Sequence, residues 1–380
     1  MTISAATAPG LDQRLLKFIQ QLFLPLLGIF TALLVGAIII LLSGFSPLDA
    51  YSGLFLGAFG SWEAVNTTLS TATPYIFTTL AVAFAFQAGL FNIGAEGQLR
   101  IGAITAAWVG INTGGLPPFV AVPLTLGAGC LGGVLWGAIP GALKAFSGAH
   151  EVITTIMLNY ISGFITAFLV GADGPLKGSR FSSTESIGEN ARIPQIVLGN
   201  PLHWGFIIAI VTALFIYWLL KNTPLGFEIR TVGANPSAAR YAGIKVARIT
   251  IITMSVSGLL AGMAGALEVM GSSDLRYRYN ANLGSGYGFD SIAIALLAKN
   301  NPIAAIPAAL LYAALRSGAT KMQFQTVNAV GQQLPGDLIS IIQALVIIFV
   351  AADQVLRWLY RLRQSSGPTV LLSRGWGKAE

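Results

Sequence analysis

Long stretches without a single charged residue are the feature that most limits what this chain can fold into. The runs from Phe18 to Leu48, from Ala64 to Ala95 and from Ile101 to Leu143 contain no Asp, Glu, Lys or Arg. A membrane-spanning helix needs roughly 20 mostly apolar residues, because every backbone polar group must be hydrogen-bonded within the chain in lipid. Only 10% of all residues are charged and the mean hydropathy is +0.71. The sequence therefore predicts an all-α integral membrane protein.

The hydrophobic pattern divides into about ten predicted transmembrane elements. We expect an N-terminal segment over 1–21, a single transmembrane domain over 22–360 and a C-terminal tail over 361–380. Within the domain we expect two internally related halves, near 69–171 and 249–356, and discontinuous helices. The predicted elements lie near 22–44, 69–89, 96–112, 117–143, 154–171, 203–220, 249–270, 286–299, 302–319 and 337–356.

Basic residues concentrate in alternate predicted loops and in the tail. This asymmetry predicts that both termini lie in the cytoplasm, because Lys and Arg are enriched in cytoplasmic loops. The net charge of +7 is thereby explained by membrane orientation, and no soluble domain is left to carry a nucleic-acid surface. We expect no nucleic-acid partner.

Two predicted elements are poor spanning helices. Residues 89–98 read GLFNIGAEGQ and carry Asn92, Glu96 and Gln98 where Leu or Val would be usual; residues 283–299 read LGSGYGFDSIAIALLAK. Glycine-interrupted, polar segments in different halves of a membrane chain are typical of a transport site at a repeat interface. Two ordinary kinks or loop entries would leave the same pattern.

A glycine stripe predicts close helix packing. Gly129, Gly133, Gly137 and Gly141 recur every four residues on one predicted helix, which places them on nearly one face. Gly258 and Gly262 repeat the spacing on a smaller scale. We interpret these residues as packing positions without chemistry.

The longest predicted cytoplasmic loop, Lys221 to Arg248, contains the signals of a short rigid helix. Asn235 is a favoured N-cap and Pro236 suits the first helical position. Ser237, Ala238, Ala239 and Arg240 would continue the helix and Gly243 would end it. Such a protrusion can transmit force to a partner, although a passive connector is the alternative.

The sequence lacks the motifs that mark several classes of enzyme and ATP-binding protein. The chain contains no G-x-x-x-x-G-K-[ST], so it has no P-loop of its own, and it contains no G-x-S-x-G or H-E-x-x-H. Cys130, the only cysteine, falls in an apolar run and is interpreted as a packing residue. His150 and His203 are the only histidines. We expect no enzyme activity, no metal site and no bound cofactor.

Four motifs occur in a fixed order: GLFNIGAEGQ, HEVITTIMLNYI at 150–161, GANPSAARYAGI at 233–244 and GYGFDSIAIALLAKNNP at 286–302. Together they resemble permease subunits of bacterial ABC importers of the ribose and branched-chain amino acid superfamily. Within it they resemble the nucleoside branch, which works with a basic-membrane-protein-type lipoprotein. The first motif is the most diagnostic of that branch.

The resemblance implies a multi-pass protein of the bacterial plasma (inner) membrane with several partners. It implies a separate ATP-binding subunit that uses ATP and Mg, a second related permease and a substrate-binding lipoprotein. Asn235 to Gly243 would form the coupling helix, and the His150 to Asn159 segment would lie near the cytoplasmic face. Simple sugars are an alternative cargo.

Polar groups at membrane depth are the candidates for the translocation path. We select Asn92, Glu96, Gln98 and Asp290, since a polar cargo can leave water only where other polar groups await it. Tyr287 and Phe289 could stack on a base or be ordinary interface aromatics. Glu96 and Asp290 could instead cap broken helices or pair with basic residues. In a rival ion-coupled secondary transporter they would bind protons or cations.

Overall fold

A computed structural model describes residues 11–180, 182–197, 199–272, 277–328 and 330–351, together with 356, 359 and 360. Within these ranges the regular structure is helical, and three isolated β-bridges join single residues in loops. A one-turn 3₁₀ helix covers Glu189–Ala191. The α-helices are α1 Leu11–Leu42, α2 Pro47–Phe59, α3 Trp62–Gln87, α4 Ala95–Ile111, α5 Pro118–Ser147, α6 Glu151–Val170, α7 Gly205–Asn222, α8 Pro224–Ala234, α9 Pro236–Tyr241, α10 Val246–Gly271, α11 Tyr287–Leu297, α12 Pro302–Gln325 and α13 Gly336–Ala351.

Every predicted hydrophobic element coincides with one of these helices, so the all-α prediction is confirmed for the described residues. Six of the helices described are long and apolar enough to cross a membrane: α3, α5, α6, α7, α10 and α12. The count of about ten transmembrane elements and the relation between two halves stay predictions. The structure adds α2 and α8, which the hydrophobic pattern did not predict.

The described residues divide into two compact units. One comprises the residues up to Leu54 together with those from Ala319 onward, and Ile40, Met322, Leu334 and Ile342 are buried in its core. The other, Phe55–Gly318, holds all the predicted site residues. The predicted tail, 361–380, and the first ten residues of the predicted N-terminal segment lie outside the described residues.

Helix α10 is the packing centre of the larger unit and contacts α5, α4 and α3. The backbones of α10 and α5 are in direct contact. A Cβ at Gly133 would overlap the carbonyl oxygen of Gly258, so only glycine fits there. Such contact brings the helices close enough for dispersion to stabilise the pair without polar side chains. The remaining glycines of the stripe, Gly129, Gly137 and Gly141, also face residues of α10.

Candidate functional site

The decapeptide 89–98 forms the turn between α3 and α4 and the first residues of α4, and the side chains of Asn92 and Gln98 bond to each other. The amide nitrogen Nδ2 of Asn92 donates to Oε1 of Gln98 at 2.9 Å and to Oγ of Ser257 at 2.7 Å. Its Oδ1 accepts from the backbone nitrogen of Gly94 at 2.8 Å. Both amide side chains are about 1% exposed. Their hydrogen-bonding groups are therefore used within the protein, which offsets the cost of burial.

Asn159 of α6 fixes the same turn from the other side. Its Oδ1 accepts from the backbone nitrogen of Gly97 at 2.8 Å, and its Nδ2 donates to the carbonyl oxygen of Ile93 at 2.9 Å. Sequence reasoning did not select Asn159 or Ser257 as site residues. A polar side chain inside an apolar helix is the signal that would have pointed to Asn159.

Glu96 joins the beginnings of two helices. It lies in the first turn of α4, and its carboxylate accepts from the backbone nitrogens of Gly286 and Gly288, at 3.0 and 2.9 Å, where α11 begins. Arg100, one turn later in α4, pairs with it at 3.0 Å. Since helix N-termini carry partial positive charge, one buried carboxylate is favourable for both. This is the capping and pairing geometry named above as the structural alternative for Glu96.

The backbones of the two helix starts also touch. A Cβ at Gly288 would overlap the backbone nitrogen of Glu96, so only glycine allows this approach. The decapeptide and the 283–299 segment therefore meet, with Glu96 between them. Helix α11 is 11 residues long, too short to cross a bilayer alone.

Asp290 lies in a separate cluster of aromatic and basic side chains. The hydroxyl of Tyr75 donates to its Oδ2 at 3.0 Å, and Nη1 of Arg316 lies 3.8 Å from the same oxygen. The ring of Tyr75 lies 4.8 Å from those of both Tyr287 and Tyr312, centroid to centroid. Sequence reasoning selected Asp290 and Tyr287 but missed the other three, which come from other helices.

Exposure separates the path candidates into two groups. Asn92, Glu96 and Gln98 are buried, whereas Phe289 is 49% exposed, the Asp290 side chain is 28% exposed and Tyr287 is partly exposed. Only members of the second group can be reached from outside the chain in this conformation. The two groups are connected through the first turn of α11, in which Gly288 stands beside Phe289.

The capped helix lies elsewhere, as α9. Oδ1 of Asn235 accepts from the backbone nitrogens of Ser237 and Ala238, both at 3.0 Å, with Pro236 at the first position. Gly243 follows with φ +83°, a left-handed conformation that ends a helix. Ala239 is buried, whereas Ser237, Ala238 and Arg240 are exposed. Helix α9 packs against α8 and α10. These contacts hold its exposed face in a fixed position.

Several known proteins similar to this chain are named as ABC transporter permeases. A guanosine ABC transporter permease of Bacillus subtilis, NupP, is 38% identical over 91% of this chain and 97% of its own length. The nucleoside permease NupB of Lactococcus lactis is 35% identical over 89% and 92%. The glucose permease TsgB13 of Haloferax volcanii is 33% identical over 87% of each chain. No solved structure matches.

The profile of one family, described as branched-chain amino acid transport system / permease component, matches residues 64–351. The chain belongs to this permease family. It is accordingly a multi-pass membrane protein and a permease subunit of an ABC importer. The resemblance that the four motifs indicated is confirmed at the level of the family.

Proposed function

We propose that this permease subunit imports nucleosides. The observation that carries the proposal is the similarity over most of the chain to two permeases named for guanosine and for nucleosides. Simple sugars are the second candidate cargo, because the relative TsgB13 is named for glucose. A nucleoside combines a sugar with an apolar base, so the two cargoes share hydroxyl groups and differ in stacking.

The chain supplies the path and other subunits supply energy and delivery. An ATP-binding subunit would hydrolyse ATP with Mg, a second, related permease would complete the path, and a substrate-binding lipoprotein would deliver cargo. The protein would lie in the bacterial plasma (inner) membrane, and both of its termini would face the cytoplasm. The absence of a P-loop from the printed sequence supports this division of labour.

The path residues have different tasks in this proposal. Asp290, Tyr287 and Phe289 would meet the cargo, since a carboxylate accepts from ribose hydroxyls and an aromatic ring stacks on a base. Asn92, Glu96 and Gln98 would act on the path indirectly by holding the start of α11 in place. The geometry that supports this division is the burial of one group and the partial exposure of the other.

Uptake by reconstituted importer would test cargo and path together. The complete complex in proteoliposomes should accumulate labelled guanosine, and excess unlabelled nucleosides should compete better than glucose. Asp290→Asn and Phe289→Ala should slow uptake, whereas Asp337→Asn, at an exposed carboxylate of α13, should not. Accumulation of glucose with no competition by nucleosides would move the assignment to sugars.

Helix α9 would transmit movement from the ATP-binding subunit. Replacing Pro236–Gly243 by a Gly/Ser linker should preserve membrane insertion and uncouple ATP hydrolysis from uptake, because a flexible linker cannot push a helix bundle. A milder variant, Asn235→Ala, removes the cap and should weaken coupling partly. Normal transport in the linker variant would refute the coupling assignment.

A further inference from the structure

A cavity of about 820 Å³ opens between the end of α5 and the beginning of α10. Both helices are long and apolar enough to span a membrane, and the cavity lies where one of them ends and the other begins. Helix α9 borders it through Arg240. We call it the α5–α10 cavity; its lining is Phe146, Arg240, Gly243, Ile244, Lys245, Val246, Ala247, Arg248, Ile251 and Ile252.

The lining combines an apolar wall with three cations. Phe146 is 80% exposed at the end of α5, next to the aliphatic side chains of Ile251 and Ile252. Arg240, Lys245 and Arg248 are exposed at the rim. An apolar wall on the membrane side and cations on the water side match the two halves of a phospholipid.

Among the residues that the structure describes, the three cations have no counter-charge at ion-pair distance. In the part of the chain that the structure describes, the ion pairs join other residues and leave these three unpaired. One carboxylate, that of Glu228, lines an adjoining cavity of about 240 Å³ together with Lys245 and Arg248. The rim therefore keeps an excess of positive charge.

The start of α10 strengthens this excess. Lys245 is its N-cap residue and Arg248 follows within the first turn, which contains no acidic residue and no side-chain cap. Cations at the positive end of a helix are unfavourable unless an anion compensates them. A phosphate placed there would meet both side chains and the free backbone N–H groups.

We propose that the α5–α10 cavity binds an anionic phospholipid, with its phosphate at Lys245 and Arg248 and its acyl chains along Phe146, Ile251 and Ile252. Lipid is the favoured occupant because the cavity joins the hydrocarbon surface of two spanning helices to a cationic rim. The glycine stripe of α5 ends at Gly141. Close packing of α5 against α10 therefore stops before the cavity, and space remains there for a lipid acyl chain. The proposal does not depend on the cargo.

Binding of phosphatidylglycerol to the purified full-length chain would test the site, measured by native mass spectrometry in detergent against phosphatidylcholine. The double variant Lys245→Gln with Arg248→Gln should bind phosphatidylglycerol roughly 30-fold more weakly, since each cation near a lipid surface contributes roughly fivefold to the affinity. The charge-preserving exchange Lys245→Arg with Arg248→Lys should bind normally. Lys177→Gln with Arg180→Gln, a matched loss of two exposed cations in another loop, should also bind normally.

Three results would overturn the proposal. The first is equal binding of the two lipids, and the second is wild-type binding by the double glutamine variant. The third is displacement of phosphatidylglycerol by inorganic phosphate alone, which would identify a free-anion site. If the double variant keeps lipid binding but no longer assembles with the ATP-binding subunit, the rim is a protein contact instead.

Discussion

At the scale of single residues, Glu96 holds three structural partners at once. Its two oxygens accept two backbone amides of the 286–288 segment and one Arg100 nitrogen while the side chain is almost fully buried. Removing the carboxylate would leave those donors without an acceptor, in a place where water cannot replace it. The energetic cost of losing one partner of a buried ion pair is several kcal/mol.

We therefore expect Glu96→Ala to lower the free energy of unfolding by about 3 kcal/mol. The matched control is Glu189→Ala, because Glu189 pairs with Arg192 at 3.6 Å while its side chain is 90% exposed. Exposed pairs are worth less than about 1 kcal/mol. Chemical or thermal unfolding of the purified variants in detergent measures the difference. Equal losses in the two variants would contradict the capping role.

His203, just before α7, predicts a pH dependence of stability. Its ring is buried against Gly205 and Gly271, and Nδ1 accepts from the backbone nitrogen of Gly205 at 3.1 Å. Burial lowers the pKa of His203 from 6.5 to about 4. The unfolded chain therefore binds a proton at a higher pH than the folded chain, and stability falls as the pH drops from about 6.5 towards 4.

The expected loss over that window is up to roughly 3 kcal/mol. Unfolding midpoints recorded between pH 7.5 and pH 4 should show it in the wild type and show a smaller slope in His203→Asn. An unchanged slope in His203→Asn would assign the pH dependence to other groups.

At the scale of helices, the α5–α10 contact depends on the absence of side chains. Gly133→Ala should destabilise the pair by about 1 to 3 kcal/mol, because the added methyl group meets the backbone of α10, which cannot rotate away. Gly127→Ala is the control on the same helix, since nothing lies within 4 Å of its Cβ position. It should be neutral or stabilising by up to about 1 kcal/mol. Thermal unfolding in detergent compares the two. Equal changes in the two variants would show that the contact at Gly133 makes no specific contribution to stability.

The helices also show how far a single sequence predicts a membrane fold. Long uncharged runs locate spanning helices because lipid leaves the backbone no other solution, and the cap signals of Asn235 and Pro236 locate α9. Helix α8 was missed, although Thr223 before Pro224 carries the same signals and accepts from the backbone nitrogen of Gly226. Hydrophobicity alone assigns that segment to a loop, because α8 is short and is marked only by its cap.

Long-range partners were beyond prediction for a different reason. The sequence marks Glu96 and Asp290 as unusual because each is a carboxylate in an apolar region. It does not reveal that Glu96 reaches Gly286, 190 positions away, or that Asp290 meets Tyr75 and Arg316. Such contacts depend on how helices pack, and helix periodicity contains information only about neighbours a few turns apart.

At the scale of the whole molecule, the energy source separates an ABC importer from the rival secondary transporter. An ion-coupled carrier would need Glu96 or Asp290 to take up and release protons or cations during the cycle. In the structure each carboxylate has an arginine beside it, Arg100 at 3.0 Å and Arg316 at 3.8 Å. A carboxylate whose charge is already compensated by a guanidinium group gains less free energy from binding a further cation.

We therefore expect transport to follow ATP and not an ion gradient. In proteoliposomes that contain this chain with the second permease, ATP-binding subunit and binding lipoprotein proposed above, uptake should stop when ATP is withheld. It should continue at the same initial rate when ionophores collapse the proton and sodium gradients. Vesicles with this chain alone are the control and should show no accumulation. If the chain alone accumulated cargo and ionophores abolished this, the protein would be a secondary transporter. Arg100 and Arg316 would then have to release their carboxylates during each cycle.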